Sequence, residues 1–258
     1  MAFIGDCRLC LSTGVELRDS HIIPELLYKR VYTAKHKFIP ISINNDNLKI
    51  EQKGYREKLL CQVCETKLSV WENELSKFLN ELIDGRHTNI KVTQLNECYI
   101  VNSIDYDKIK KAILSIFWRM SIAKNDLFSC YSLGKYDEKF RDILYQDILI
   151  DYTIYPVLIS KGLLKEKFHA GILFPISRGR YGNRLIMQSV VLNGFVFYLL
   201  MVENRSIPEE INLFSLKPSG YGGQVIILER PYNELGLNID DFSNRMRQSD
   251  VKEFYDKH

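Results

Sequence analysis

The chain has 258 residues, 46% hydrophobic and 26% charged, an ordinary globular composition that suffices for one large domain or two smaller ones. Its 35 basic and 32 acidic residues leave a formal net charge of +3, which excludes a global steering field, so any nucleic-acid contact must come from local patches. No apolar run approaches the ~18 residues of a membrane span, and polar residues begin by Asp6, so the sequence reads as cytoplasmic, without anchor or signal peptide.

In a reducing compartment, two C-x2-C pairs among six cysteines point to metal rather than disulfides. The first pair is Cys7 and Cys10, and the second is Cys61 and Cys64. Cys98 and Cys130 stand singly in apolar settings and read as buried hydrophobes. After the first pair, Thr13-Gly14 signals a turn, and the alternation Val15-Glu16-Leu17-Arg18 predicts a short strand ending near His21. Pro24 suits a first helical position, with Leu26, Leu27 and Val31 following as a short helix. The runs 38–43 and 48–52 flank Asn44-Asn45-Asp46-Asn47, a hairpin pattern that reads as an insertion.

From Cys61 onward, Leu68, Trp71, Leu75, Phe78, Leu79 and Leu82 recur at threes and fours, the stripe of an amphipathic helix that stops at Asp84-Gly85. Between Arg18 and Lys58, nine basic residues face five acidic ones, a local excess of +4 that includes Arg56 and Lys58 and suits either a phosphate backbone or a solvated surface. The polar stretch 84–89 predicts a boundary between a first domain, 1–84, and a second, 85–258. A strand near Ile90, then helices over about 106–124 and 137–148, open that second part.

Trp118 and Arg119, inside the first of these helices, read as a core aromatic and an internally paired Arg. Beyond residue 170 the pattern turns to strands at 171–174, 185–187, 190–192, 195–200 and 225–228, with Asn193-Gly194 as a type I′ hairpin signal. Arg178, Arg180 and Arg184, interleaved with glycines and Tyr181, can grip a phosphate backbone or form a solvated hairpin loop. The fold class is α+β, a zinc-bearing N-terminal unit followed by helices on a mainly antiparallel sheet.

Thiolates at i and i+3 on a helix start point to one side, and the helix N-terminus favours their ionised form, which fits Cys61 and Cys64. A Cys7/Cys10 knuckle supplies two more sulfurs, enough to surround a structural zinc ion at ~2.3 Å. The 50 residues between the pairs exceed the roughly 15 to 20 of compact zinc ribbons.

The order of these motifs is the point of resemblance: a C-x2-C knuckle, a strand ending in His21-Ile22-Ile23-Pro24, then Leu59-Leu60-Cys61-x2-Cys64 opening a helix. Residues 7–82 thus resemble the zinc-bearing branch of the HNH endonuclease superfamily, whose core is a ββα-metal, or treble-clef, unit. The resemblance implies that His21 is the general base, that Ser20 and Glu65 stand at the two catalytic-metal ligand positions, and that the partner is DNA. Glu65 suits Mg²⁺ or another divalent ion, whereas Ser20 replaces the usual Asp or His, with Asp19 next to it as an alternative source of charge. No Asn stands near Arg56, where the middle Asn of the motif would fall. A role in bacterial restriction or antiphage defence follows from the same resemblance.

Each residue also has a plainer role. His21 can be a packing histidine beside the knuckle, Glu65 can simply complement the helix dipole, and Glu72 reads as a surface residue. His36, His87, His169 and His258 carry no partner pattern. Two further functions stay open: a zinc-stabilised module that binds nucleic acid or protein without catalysis, and a thiol redox sensor. The second domain is expected to bind substrate, a partner protein or a second copy of the chain, with no membrane contact.

Overall fold

The computed structural model describes residues 2–32, 53–125, 127–128, 131–182, 185–203, 206–220 and 222–236. The expected hairpin over 38–52, Cys130, Arg184, His36 and His258 lie outside these residues. The fold is mixed α+β with mainly antiparallel sheets, as the sequence patterns predict.

The N-terminal part comprises β1 (Ile4–Gly5), β2 (Val15–His21), α1 (Glu25–Tyr28), β3 (Arg56–Cys61) and α2 (Gln62–Asp84). The strands form a small antiparallel sheet in the order β1-β2-β3. In β2 the alternation starts regularly, with Leu17 buried and Arg18 exposed. A bulge against β3 then falls between Leu17 and Asp19 and shifts the phase, so Ser20 turns into the core and Asp19 stays outside. Helix α2 buries Leu68, Trp71, Leu75, Phe78 and Leu79 and ends at Gly85, whose φ of 64° provides the left-handed cap.

The remainder begins with β4 (Lys91–Leu95), β5 (Cys98–Ile104), α3 (Tyr106–Ile122) and α4 (Asp137–Gln146). It continues with β6 (Val157–Leu164), β7 (Lys167–Phe168), β8 (Phe174–Tyr181), β9 (Leu185–Leu192) and β10 (Phe195–Leu200). The last elements are α5 (Glu209–Phe214), β11 (Lys217–Ser219) and β12 (Gly222–Pro231). Among the described residues the second sheet has nine strands, with the path β4-β5-β12-β6-β10-β9-β8 and with β7 and β11 alongside β6 and β12. Among the described residues only the β12–β6 pair of this sheet is parallel.

Asn193 and Gly194 join β9 to β10 with φ values of 50° and 82°, the two positive values that a type I′ turn needs. The Asn193 amide also donates to the Leu27 carbonyl at 2.9 Å, which ties α1 to this turn. Val190, Leu192, Phe195, Phe197 and Leu199 face the helices, while Val191, Val196, Tyr198 and Leu200 fill smaller clusters on the far face.

One hydrophobic cluster runs through both sides of the expected boundary. Cys7, Leu60, Leu68 and Leu75 pack in the same core as Ile113, Phe117, Val157 and Val225. Three residues depart from expectation here. Cys98, at the start of β5, is half-buried rather than enclosed, and Arg178 and Arg180 sit within β8 rather than in a loop. Leu185–Leu192 supplies a full antiparallel partner for that arginine-containing stretch, which outweighs its glycines.

Candidate metal centre and active site

The four cysteines come from two elements and their flanks. Cys7 and Cys10 lie in the turn after β1, where Leu11 takes a φ of 60° and its amide closes onto the Cys7 carbonyl at 2.9 Å. Cys61 ends β3 and precedes the first residue of α2, and Cys64 follows on its first turn. The Cys61 amide donates to Cys7 Sγ at 3.4 Å, so the strand end and the knuckle are in direct contact.

The four Sγ atoms all lie within 4.8 Å of one another. A tetrahedron with bonds of ~2.3 Å has S–S edges of ~3.8 Å, and Cys10 and Cys61 stand 3.9 Å apart. The donor set and its spacing therefore fit a structural zinc ion. The Cys64 thiol donates toward Cys7, which draws the Cys7 thiol down to about 4 and pushes Cys64 up. Sulfurs that compete for protons in this way are poised to exchange them for a cation.

His21 ends β2 directly opposite Arg56 of β3. Its Nε2 lies 2.7 Å from Glu25 Oε2, at the start of α1, an ion-pair contact whose alignment falls short of a hydrogen bond. The same carboxylate oxygen accepts from the Tyr32 hydroxyl at 3.1 Å and lies 3.6 Å from Arg56 Nη2. The side chains of His21, Glu25 and Arg56 are 22%, 39% and 30% exposed, so the trio opens to solvent. Burial, with Arg56 next in strength, holds the His21 imidazole below its ordinary pKa, against the opposing pull of Glu25. At neutral pH it is an uncharged acceptor.

Behind this trio lies a buried polar group. The Ser20 hydroxyl accepts from the Leu60 amide at 3.1 Å, and its closeness to Glu65 on α2 favours the ionised carboxylate. Burial raises the Glu65 pKa, and its Oε1 has no hydrogen-bond partner. Seven residues further along the same stripe, Glu72 Oε1 lies 2.5 Å from Arg119 Nη2, with side-chain exposures of 13% and 1%. Glu72 is thus largely covered and paired with Arg119 of α3, not the surface residue that its charge suggests. Trp118 and Arg119 are buried at 2% and 1% exposure, as expected of a core aromatic and a paired Arg.

A scan against protein-family models matches none, and searches of curated proteins and of solved structures return no significant match. The reading of this site therefore rests on its geometry and on the motif order.

The structure brings together Ser20 and Glu65 between the end of β2 and the start of α2, and His21 follows Ser20 in the strand with its ring toward Glu25 and Arg56. It separates Asp19 from them: the bulge leaves Asp19 on the exposed face, 3.7 Å from Lys58. Arg178 and Arg180 are exposed, opposite Gln188 and Ile186 of β9, and so on the sheet face that packs against the helices. Among the described residues, the cysteines are the only group of three or more His, Cys, Asp or Glu side chains close enough to share one ion. Among the described residues, a second ion at Glu65 would therefore have at most one further His, Cys, Asp or Glu ligand beside the Glu65 carboxylate.

Two residues of this centre, Glu25 and Arg119, carry no local motif. The signal for Glu25 is its place four residues after His21, just past the Pro24 that opens α1. For the Arg119 pair it is the spacing Leu68-Glu72-Leu75-Leu79, which puts Glu72 on the core stripe of α2.

Proposed function

We propose that the protein is an HNH-type endonuclease that hydrolyses phosphodiester bonds in DNA with the help of a divalent ion. The observation that carries this reading is the His21 centre: a neutral, solvent-accessible imidazole at a strand end, held by Glu25 and facing Arg56. Phosphodiester hydrolysis needs a water deprotonated near neutral pH and positive charge near the phosphate. With Nε2 directed to Glu25, Nδ1 is the nitrogen left to accept the proton of the attacking water. Arg56 offers its guanidinium to the phosphate, and Lys58 on the same strand extends the contact toward neighbouring phosphates. Glu65, with its unpartnered Oε1, is the residue that would hold Mg²⁺ or a similar ion, which when bound supplies charge stabilisation for the leaving oxygen. Zinc on the four cysteines keeps β2, β3 and α2 in register and takes no part in the chemistry.

The test is cleavage of supercoiled plasmid with Mg²⁺ or Mn²⁺. Wild-type protein nicks or linearises the plasmid, and His21→Ala does not while retaining its zinc. An intact plasmid under all these metals, with zinc-loaded folded protein, removes the nuclease reading.

A second reading has its own support. Ser20 stands at one ligand position, and the cysteines form the only multi-ligand group among the described residues, an arrangement that suits a zinc-stabilised module binding nucleic acid without cutting it. An anomalous-scattering map of metal-soaked crystals separates the two: a peak at the cysteines alone favours the module, and a second peak at Glu65 favours the nuclease. A place in bacterial defence is part of the nuclease reading, and phage challenge of cells carrying wild-type or His21→Ala protein tests it.

A further inference from the structure

Helix α3 lies well beyond the zinc-bearing stretch, yet it carries the group that grips the backbone at His21. The Arg119 Nη1 donates to the His21 carbonyl at 2.7 Å, its Nη2 lies 2.5 Å from Glu72 Oε1, and its Nε donates to the Ser115 carbonyl at 3.3 Å. Three elements, the end of β2, the middle of α2 and the last turns of α3, thus meet on one planar cation. A guanidinium at 1% exposure is tolerated only when its donors are used, and its fixed fork makes each of those bonds directional.

Packing of α2 against α3 accounts for the bonds to Glu72 and Ser115. The bond to β2 adds nothing to that helix pair, and it falls on the peptide of the one residue whose ring faces Glu25 and Arg56. The carbonyl of His21 is therefore held from α3, while its imidazole lies against Glu25 of α1.

We infer that Arg119 is the positioning residue of the His21 centre, fixing the strand-end peptide so that Glu25 can hold the imidazole in a single tautomer. The centre is then built across the chain, with α3 supplying an essential support to a motif that lies within the first 84 residues. The consequence for catalysis rests on the nuclease reading, whereas the positioning itself does not.

The experiment uses zinc-loaded full-length protein labelled with ¹⁵N in its histidine rings, with His21 assigned by its loss in His21→Gln. Wild-type protein shows the Nε2–H tautomer in long-range ¹H–¹⁵N spectra. Arg119→Lys keeps a cation against Glu72, but its single nitrogen cannot also serve the His21 carbonyl in the same geometry. The expected result is an exchange-averaged His21 ring, an unchanged zinc content, and a kcat for plasmid cleavage lower by about a hundredfold. KM should stay within about twofold, because the lost contact touches no substrate.

The double variant Arg119→Met with Glu72→Gln removes both charges together and provides a second folded route to the same readout. A wild-type ring tautomer retained in Arg119→Lys or in the double variant overturns the inference. If wild-type protein leaves DNA uncut, the spectra still decide the positioning role, and only the nuclease reading falls.

Discussion

At the scale of single residues, charge and burial act on His21 in opposite directions, and their balance has a measurable outcome. Burial, Arg56 and Arg119 lower its pKa below the ordinary 6.5, and Glu25 raises it without prevailing. On the proposed nuclease reading His21 is the general base, which works only when unprotonated, so a depressed pKa would extend activity toward acid. The acidic limb of kcat/KM for DNA cleavage is expected below pH 6.5, and Arg56→Gln, which removes one of the depressing charges, should move that limb upward. A wild-type limb centred at or above 6.5 contradicts this balance. Ser20 and Asp19 offer a second test, because the bulge in β2 gives neighbouring residues opposite environments. Ser20→Ala leaves the buried Leu60 amide without its acceptor and should cost about 1–3 kcal/mol. Asp19→Ala breaks only an exposed pair with Lys58 and should change stability by about 0.5 kcal/mol or less. Urea denaturation of the two variants measures both. The bulge also explains why the sequence left the choice between Ser20 and Asp19 open: strand alternation predicts orientation only while the register holds, and nothing in Arg18-Asp19-Ser20 announces the slip. The cysteines were legible because C-x2-C spacing is local chemistry. Glu25 and Arg119 were not, because each acts on His21 from another element.

At the scale of elements, the helices follow their patterns closely and the strands less so. Helix α2 was readable from Leu68 to Leu82 and from the Asp84-Gly85 stop, because an apolar stripe and a glycine cap are both written locally. Strand β6 lay hidden in Val157–Leu164, because Ser160-Lys161-Gly162 breaks its apolar run and no regular alternation marks it as a strand. The arginines of β8 misled for the opposite reason: glycines and charges read as a loop, yet strand β9 supplies partners along Ser177–Tyr181. Two substitutions in α2 separate local from tertiary stabilisation. Gly85→Ala meets no neighbour within 4 Å and suffers only from its φ of 64°, so the cost is about 1 kcal/mol. Leu75→Ala, at a site with no exposure, loses packing against the shared core and should cost about 2–5 kcal/mol. Equal costs in chemical denaturation would mean that α2 contributes less to the core than its burial indicates.

At the scale of the whole molecule, the issue is whether residues 1–84 and 85–258 behave as two domains, as the polar stretch between them implies. The buried contacts argue for coupling. The Glu72–Arg119 pair, the Arg119 bond to the His21 carbonyl and the Asn193 bond to the Leu27 carbonyl all cross that boundary, and one apolar cluster spans it. Glu57 adds a fourth link by accepting the amides of Lys124 and Asn125 at 2.9 and 2.7 Å. A structural zinc site of this kind contributes about 10–16 kcal/mol in small isolated units, which exceeds the total stability of most domains. Its loss should therefore be felt beyond the segment that binds it. Calorimetry of the zinc-loaded protein is expected to show one cooperative transition. A strong chelator should shift that whole transition to lower temperature rather than remove a separate early step. Two resolved transitions, with only the first sensitive to chelation, would show instead that the cysteine-bearing third folds on its own and that the buried Arg119 contacts merely dock it.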